Sequence, residues 1–266
     1  MAERVLAADG PPGNVVFDLD GCLYVDDIPV PGARQCLESL RDHGCTVLFA
    51  TNNSTKTAEV VAERLRAITG FATSPGSVVT SVAAALTLLT GADHPVLPIG
   101  EAGLVGTLVE ADVAVTDDPH AARTVIVGLD RAISYDRIRR AAQAVLLGAR
   151  FIGTNPDATF PTATLPAPGA GAIIAAVERA SGTAPEYAGK PFEPMRRAVE
   201  KLLAPGPTWV VGDRPETDVA FGRGAGWATV LVLTGVTATV NGLPDDLRPT
   251  RVITSVADLA EVVIGS

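Results

Sequence analysis

The chain has 266 residues, enough for two domains of ordinary size with a buried core in each. Its formal charge of -9 excludes a general nucleic-acid or membrane-surface binder, which would need a basic face. No apolar run approaches the roughly 20 residues of a membrane span, residues 1–14 lack the basic start and apolar core of a secretion signal, and Cys22, Cys36 and Cys45 are spaced like no zinc site. They read as reduced thiols, and the protein as cytoplasmic.

The first strand-like run, 15–18, leads straight into Asp18-Leu19-Asp20-Gly21. Two carboxylates one residue apart at a buried strand end need a cation, because an unpaired carboxylate taken out of water costs several kcal/mol or shifts its pKa. A divalent ion answers that need. Asp18 is then both ligand and nucleophile for a phosphoryl group, and Asp20 is placed to protonate a leaving oxygen. Taken alone, the run is equally an ordinary turn or a calcium loop.

The second strand, 46–51, ends at Thr51-Asn52-Asn53-Ser54. By itself this reads first as a helix N-cap. The Thr51 hydroxyl and the Asn52 backbone N–H also suit phosphoryl oxygens, and helix N-termini bind anions, so both roles are compatible. A third strand is expected at 78–80.

A second alternating block follows, with strands expected at 95–99, 113–115, 124–129 and 151–154 and helices at 101–110, 135–147 and 171–180. The proline-rich piece 160–168 reads as an ordered loop. Beyond it, Gly189-Lys190-Pro191 opens a helical stretch at 192–203, and lysine occurs elsewhere only at 56 and 201. Strand 208–213 ends on Asp213, a further metal ligand, with Asp218 five residues on either orienting a metal-bound water or capping a helix. A last strand is expected at 228–234. The alternation predicts an α/β fold, a parallel sheet with helices on both faces interrupted by a smaller α/β domain: a discontinuous core of 1–79 and 187–266 around an insertion of 80–186.

Taken in order, Asp18-Leu19-Asp20-Gly21, Thr51-Asn52-Asn53-Ser54, Gly189-Lys190-Pro191 and Gly212-Asp213-Arg214-Pro215-Glu216-Thr217-Asp218 resemble the motifs of the haloacid dehalogenase superfamily. The likeness sharpens to its NagD-like, 4-nitrophenylphosphatase-type branch through Leu23-Tyr24, Pro31-Gly32-Ala33, Val127-Gly128-Leu129-Asp130, Gly153-Thr154-Asn155-Pro156-Asp157 and Leu233-Thr234-Gly235-Val236. The resemblance implies a Mg²⁺-dependent phosphatase with a Rossmann-like core and an inserted α/β cap of the C2 type. Asp18 is its nucleophile, Asp20 its acid/base and, through its backbone carbonyl, a metal ligand. Thr51 and Lys190 stabilise the phosphoryl group, and Asp213 completes the protein's metal ligands. The cap loop Asn155-Pro156-Asp157 is expected to choose the substrate, and cap surfaces are allowed to pair into a homodimer. Cys22 departs from the superfamily's usual threonine, and a thiol beside the metal suggests sensitivity to oxidation.

The expected partner is a small phosphorylated metabolite. An acidic Asp157 suits a polyol or a positively charged moiety better than a carboxylate, which favours glycerol 3-phosphate over phosphoglycolate unless Arg131 or another cap arginine reverses the preference. Pyridoxal phosphate and nucleoside monophosphates are the alternatives within the family. A phosphomutase keeps the fold and changes the reaction, whereas Asp20 argues against a dehalogenase. A signalling receiver is disfavoured by the Asp18/Asp20 spacing and the inserted domain, and a non-catalytic metal or phosphate binder by the full set of catalytic groups.

Overall fold

The structure is a computed structural model that describes residues 13–160 and 165–265. In chain order the elements that matter here are β1 (Asn14–Phe17), α1 (Ala33–Asp42), β2 (Thr46–Thr51), α2 (Ala58–Thr69), β3 (Val78–Thr80) and α3 (Ser81–Leu86). There follow β4 (Val96–Ile99), α4 (Ala102–Glu110), β5 (Thr124–Val127), α5 (Tyr135–Leu146), β6 (Arg150–Gly153), α6 (Ala170–Ser181) and β7 (Glu186–Tyr187). The chain ends with α7 (Glu193–Glu200), β8 (Thr208–Gly212), α8 (Ala220–Gly224), β9 (Ala228–Val232), β10 (Arg251–Ile253) and α9 (Leu259–Ile264).

The chain divides into two compact units, one of Met1–Thr51, Val61–Val79 and Val199–Ser266, the other of Asn52–Val60 and Thr80–Ala198. The first carries a six-stranded sheet in the order β10-β9-β8-β1-β2-β3. The paired registers among β1, β2, β8, β9 and β10 are all parallel. Its central strands are buried on both faces, which is why they read as continuous apolar runs and not as alternation. Phe17 and Trp209 are both almost fully buried in these strands, and burial of Phe17 stabilises by about 1.5–3 kcal/mol relative to an exposed side chain. In register, Phe17 stands beside Phe49 on one side and Val211 on the other. The carboxyl ends of β1, β2 and β8 therefore lie side by side, where the strand order reverses and open α/β sheets bind ligands.

The second unit has a four-stranded sheet, β7-β6-β5-β4, again with parallel registers. Helices α5 and α6 pack together, and Ala141, Val145, Ile174 and Val177 meet Val125, Val127 and Phe151 in one core. Residues 52–60 belong here because their backbone lies against α4: Gly103 donates to Thr55 O (3.2 Å), and a Cβ on Gly103 would sit 2.2 Å from Lys56 N.

The expected strand at 113–115 is corrected. It is a single bridge between Val115 and Val96, with Val96 donating to Ala114 O and Thr116 donating to Val96 O. Asp112 turns the chain just before it with φ +55, and the Thr116 hydroxyl accepts from Asp118 N just after, so no longer ladder can form. The expected ordered loop at 160–168 begins and ends in a small antiparallel pairing of Phe160 with Ala167; 161–164 lie outside the described residues, as do 1–12 of the opening segment.

Candidate active site

In the first unit, Asp18 follows β1 directly and its N–H donates to Val211 O at 2.8 Å, locking the start of the loop to β8. Asp213 follows β8, and Asp218 is delivered by the wide helical turn Pro215–Val219. One carboxylate oxygen from each of Asp18, Asp213 and Asp218 lies within 4.8 Å of the others, and Asp213 and Asp218 are 1 % and 2 % exposed. Three carboxylates that close oppose one another's charge unless a cation sits among them. An all-oxygen donor set is what hard divalent ions such as Mg²⁺ take, so these residues fit a magnesium site. No other such group of His, Cys, Asp or Glu side chains occurs among the described residues.

The walls of this cluster come from glycines. A Cβ on Gly235 would fall 2.0 Å from Asp213 Oδ2, one on Gly21 2.5 Å from the same atom, and one on Gly212 2.2 Å from Asp218 Cγ. Gly21 also has φ +87, a conformation that side chains rarely adopt. Two further residues orient the cluster: Val236 N–H donates to Asp213 Oδ2 at 2.6 Å, and the Thr234 hydroxyl donates to Gly21 O at 2.8 Å. In the sequence, Leu233-Thr234-Gly235-Val236 stands out only as a family signature and these jobs go unmarked; an apolar strand running into Thr-Gly is the signal it offers. Asp218, expected to orient a metal-bound water or to cap a helix, has its oxygen in the same group and also accepts from Arg214 N at 3.1 Å, closing its own turn.

Asp20 is exposed, bridges Tyr24, and is not part of the carboxylate group. Tyr24 is almost fully buried. Burial, then the charges of Asp20 and Asp18, push its phenol well above the ordinary value, while Arg64 pulls the other way from over the ring. Arg64 also donates to Asp26 O (2.7 Å) and pairs with Asp27 (3.0 Å), pinning the short hairpin that follows Asp20. Cys22, whose thiol the sequence raised as a site of oxidation beside the metal, is 0 % exposed with Sγ 4.0 Å from Val211 O, and burial of this kind works against oxidation by limiting access to water and oxidant.

Thr51 is buried at the end of β2, but it caps no helix: α2 starts only at Ala58. Instead Asn53 Oδ1 accepts from Thr55 N and Thr55 Oγ1, both at 2.8 Å, making a side-chain turn.

In the second unit Asn52, Asn155, Pro156, Asp157 and Lys190 come together. Asn52 Oδ1 accepts from Lys190 N (2.7 Å), and its Nδ2 donates to Lys190 O and to Asp157 Oδ2 (3.2 Å each). Its carbonyl accepts from Asn155 Nδ2 (2.7 Å) and Ser81 Oγ (2.9 Å). Asn155 is buried and its Oδ1 accepts from Asp157 N, so its amide shapes the 155–157 loop. Pro156 and Asp157 are half-buried, and Gly171 donates to Asp157 O at 2.9 Å, seating the loop on the start of α6. Lys190 is 2 % exposed, a degree of burial that lysine tolerates only with partners, and it has them. Arg131, which stood to attract a substrate carboxylate, is held by both Glu101 oxygens, Nε at 2.7 Å and Nη2 at 2.6 Å.

Comparison with known proteins places the whole chain in a family. Residues 15–114 match the haloacid dehalogenase-like hydrolase model and 187–259 an HAD-hydrolase-like model. The acid sugar phosphatase of Staphylococcus haemolyticus is 38 % identical over 88 % of this chain and 90 % of its own. Among solved structures, p-nitrophenyl phosphatase from Archaeoglobus fulgidus superposes with TM-score 0.86 at 32 % identity, covering 95 % of this chain and 99 % of that one. NagD from E. coli gives 0.82 at 34 %, covering 92 % and 97 %. Glycerol phosphate phosphatase Rv1692 from Mycobacterium tuberculosis, in complex with magnesium, gives 0.84 at 29 %, covering 94 % and 76 %. With these matches spanning nearly its whole length, the chain belongs to the haloacid dehalogenase-like hydrolases, and within them to the NagD-like phosphatases.

Proposed function

We propose that the protein hydrolyses a small phosphorylated sugar or polyol, glycerol 3-phosphate first among them, with Mg²⁺ held by Asp18, Asp213 and the Asp20 backbone carbonyl. The observation that carries the reading is the meeting of Asp18, Asp213 and Asp218 at the carboxyl ends of β1 and β8. Bound Mg²⁺ would supply positive charge to the transferring phosphoryl oxygens and to the carboxylates around it.

The chain's own groups do the rest. Asp18 attacks phosphorus in line; a carboxylate–phosphorus bond forms as the ester P–O bond breaks, and Asp20 gives its proton to the departing alkoxide. In the second half Asp20 takes a proton from water, which attacks the aspartyl phosphate and releases inorganic phosphate and the Asp18 carboxylate. Thr51, the Asn52 backbone N–H and Lys190 are assigned to the phosphoryl oxygens, and Asp218 to orienting a metal-bound water.

Residues 80–186 are assigned as the cap, with Asn155, Pro156 and Asp157 choosing the substrate and with the cap surface pairing two copies. What supports a polyol over a carboxylate-bearing ester is the half-exposed acidic Asp157 and the engagement of Arg131 by Glu101. Relatives named for sugar and glycerol phosphates agree in kind. No helix among the described residues is long and apolar enough to cross a membrane, and a cytoplasmic location is part of the reading. The test is phosphate release from glycerol 3-phosphate, hexose phosphates, phosphoglycolate, pyridoxal phosphate and nucleoside monophosphates, with Mg²⁺ and with chelator. A metal-dependent preference for the polyol or sugar esters is expected; preference for phosphoglycolate would overturn the substrate assignment.

A further inference from the structure

We infer that the Asn52 side chain is a positioning residue that fixes where Lys190 stands and ties that lysine to the substrate-choosing loop, an inference that rests on the phosphatase reading above. Among side chains, only an amide offers an acceptor and two donors in one rigid plane. Here all three serve at once: Oδ1 takes the Lys190 N–H at 2.7 Å, while the two Nδ2 hydrogens reach Lys190 O and Asp157 Oδ2. The Lys190 peptide is thus gripped on both its N–H and its C=O by one residue.

Two features show that this grip is built in. A Cβ on Gly189 would sit 2.5 Å from Asn52 Oδ1, so the preceding residue has to be glycine for the amide to reach the Lys190 peptide. The Asn52 backbone is fixed in its turn by Asn155 Nδ2 and Ser81 Oγ, so the amide is aimed from a held frame. The lysine head rides on a flexible four-carbon stem, and its placement inherits the placement of its backbone. Loss of the grip lets Lys190 and Asp157 move independently.

The variants separate grip from fold. Asn52→Ala removes all three contacts. Asn52→Asp keeps the acceptor for Lys190 N–H, removes both donors, and sets a carboxylate against Asp157. The double substitution Asn52→Asp/Asp157→Asn exchanges donor and acceptor across that contact and restores it. Each protein is assayed with Mg²⁺ on p-nitrophenyl phosphate and glycerol 3-phosphate, its melting temperature is measured, and exchange of the Lys190 amide is followed by NMR.

The expected result is a kcat loss of about 10- to 100-fold for both single variants, the scale of a roughly 1 Å misplacement, with KM changing far less. The Lys190 amide should exchange faster in Asn52→Ala, and the double variant should regain part of the kcat lost in Asn52→Asp. Unchanged Lys190 exchange in Asn52→Ala overturns the grip. Faster exchange with kcat within about twofold of wild type, where 1.4 kcal/mol would be tenfold, overturns its role in turnover. A kcat loss accounted for wholly by unfolded protein assigns Asn52 to folding alone and overturns the inference too. Wild-type protein that releases no phosphate from any ester would sink the phosphatase reading and with it the turnover role, while the exchange data still decide whether the grip exists.

Discussion

Gly235 lies so close to Asp213 that a Cβ built on it would stand 2.0 Å from the Asp213 carboxylate oxygen that Val236 N–H holds. No side chain fits there without moving the carboxylate. Gly235→Ala should therefore cost about 1–3 kcal/mol of stability from overpacking and should weaken Mg²⁺ binding by more than tenfold. Titration calorimetry with Mg²⁺ checks this; wild-type affinity in Gly235→Ala would mean that Asp213 is not a ligand.

The three thiols should be unreactive in the folded protein. Cys22 is fully buried, burial pushes Cys36 up to about 12, and burial raises Cys45 as well. Thiolate is the reacting species, so a thiol reagent at pH 8 should label none of them until denaturant is added. Peroxide should inactivate wild type and Cys22→Ala at the same rate. Protection in Cys22→Ala would show that the Cys22 pocket opens in solution.

Hydrogen bonding and charge from Arg131 hold the Glu101 carboxyl below its ordinary value. A depressed carboxyl pKa stabilises the fold above the unfolded value, and that contribution is lost as pH falls through the lowered folded value. Since Arg131 is two-thirds exposed and the pair is screened by solvent, Glu101→Gln should cost at most about 1 kcal/mol at pH 7. Urea melts of the two proteins should converge as the pH drops below the glutamate range. If Arg131 instead serves a substrate carboxylate, Arg131→Ala would selectively lose phosphoglycolate turnover; with Glu101 occupying the guanidinium, the ranking of esters should stay the same.

Asp20→Asn should slow both half-reactions by about 100-fold or more, within the usual range for general acid–base catalysis. The loss should be smaller for p-nitrophenyl phosphate, whose leaving group needs little protonation. Asp157→Asn keeps an acceptor for Asn52 Nδ2 and removes the charge, so it should change the ranking of metabolite esters more than it changes aryl phosphate hydrolysis. Equal losses on all substrates would make the 155–157 loop purely structural.

The strands of both sheets that carry long β-branched runs were legible because burial on both faces leaves no polar residue to interrupt them, as in Val15-Val16-Phe17 and Trp209-Val210-Val211. Glu186–Tyr187 and Arg251–Ile253 were not: they are short and partly exposed, so their pattern matches a loop. The carboxylates of the site were readable because acids at apolar strand ends demand a reason. Thr51-Asn52-Asn53-Ser54 misled in the other direction, since cap residues announce a helix whether or not one follows at once, and α2 waits until Ala58. The Asn52 contacts were invisible for a different cause. Its partners Asp157 and Lys190 lie 105 and 138 residues away, and nothing local marks an asparagine that bonds at such range.

The most direct measurement is to mix the enzyme with p-nitrophenyl phosphate and Mg²⁺, quench in acid within milliseconds, and weigh the peptide that contains Asp18. A phosphoryl adduct on Asp18 that is absent from Asp18→Asn and from chelated enzyme is the predicted result. Phosphate release at full rate with no adduct, or turnover retained in Asp18→Asn, would contradict the assignment of Asp18 as the nucleophile.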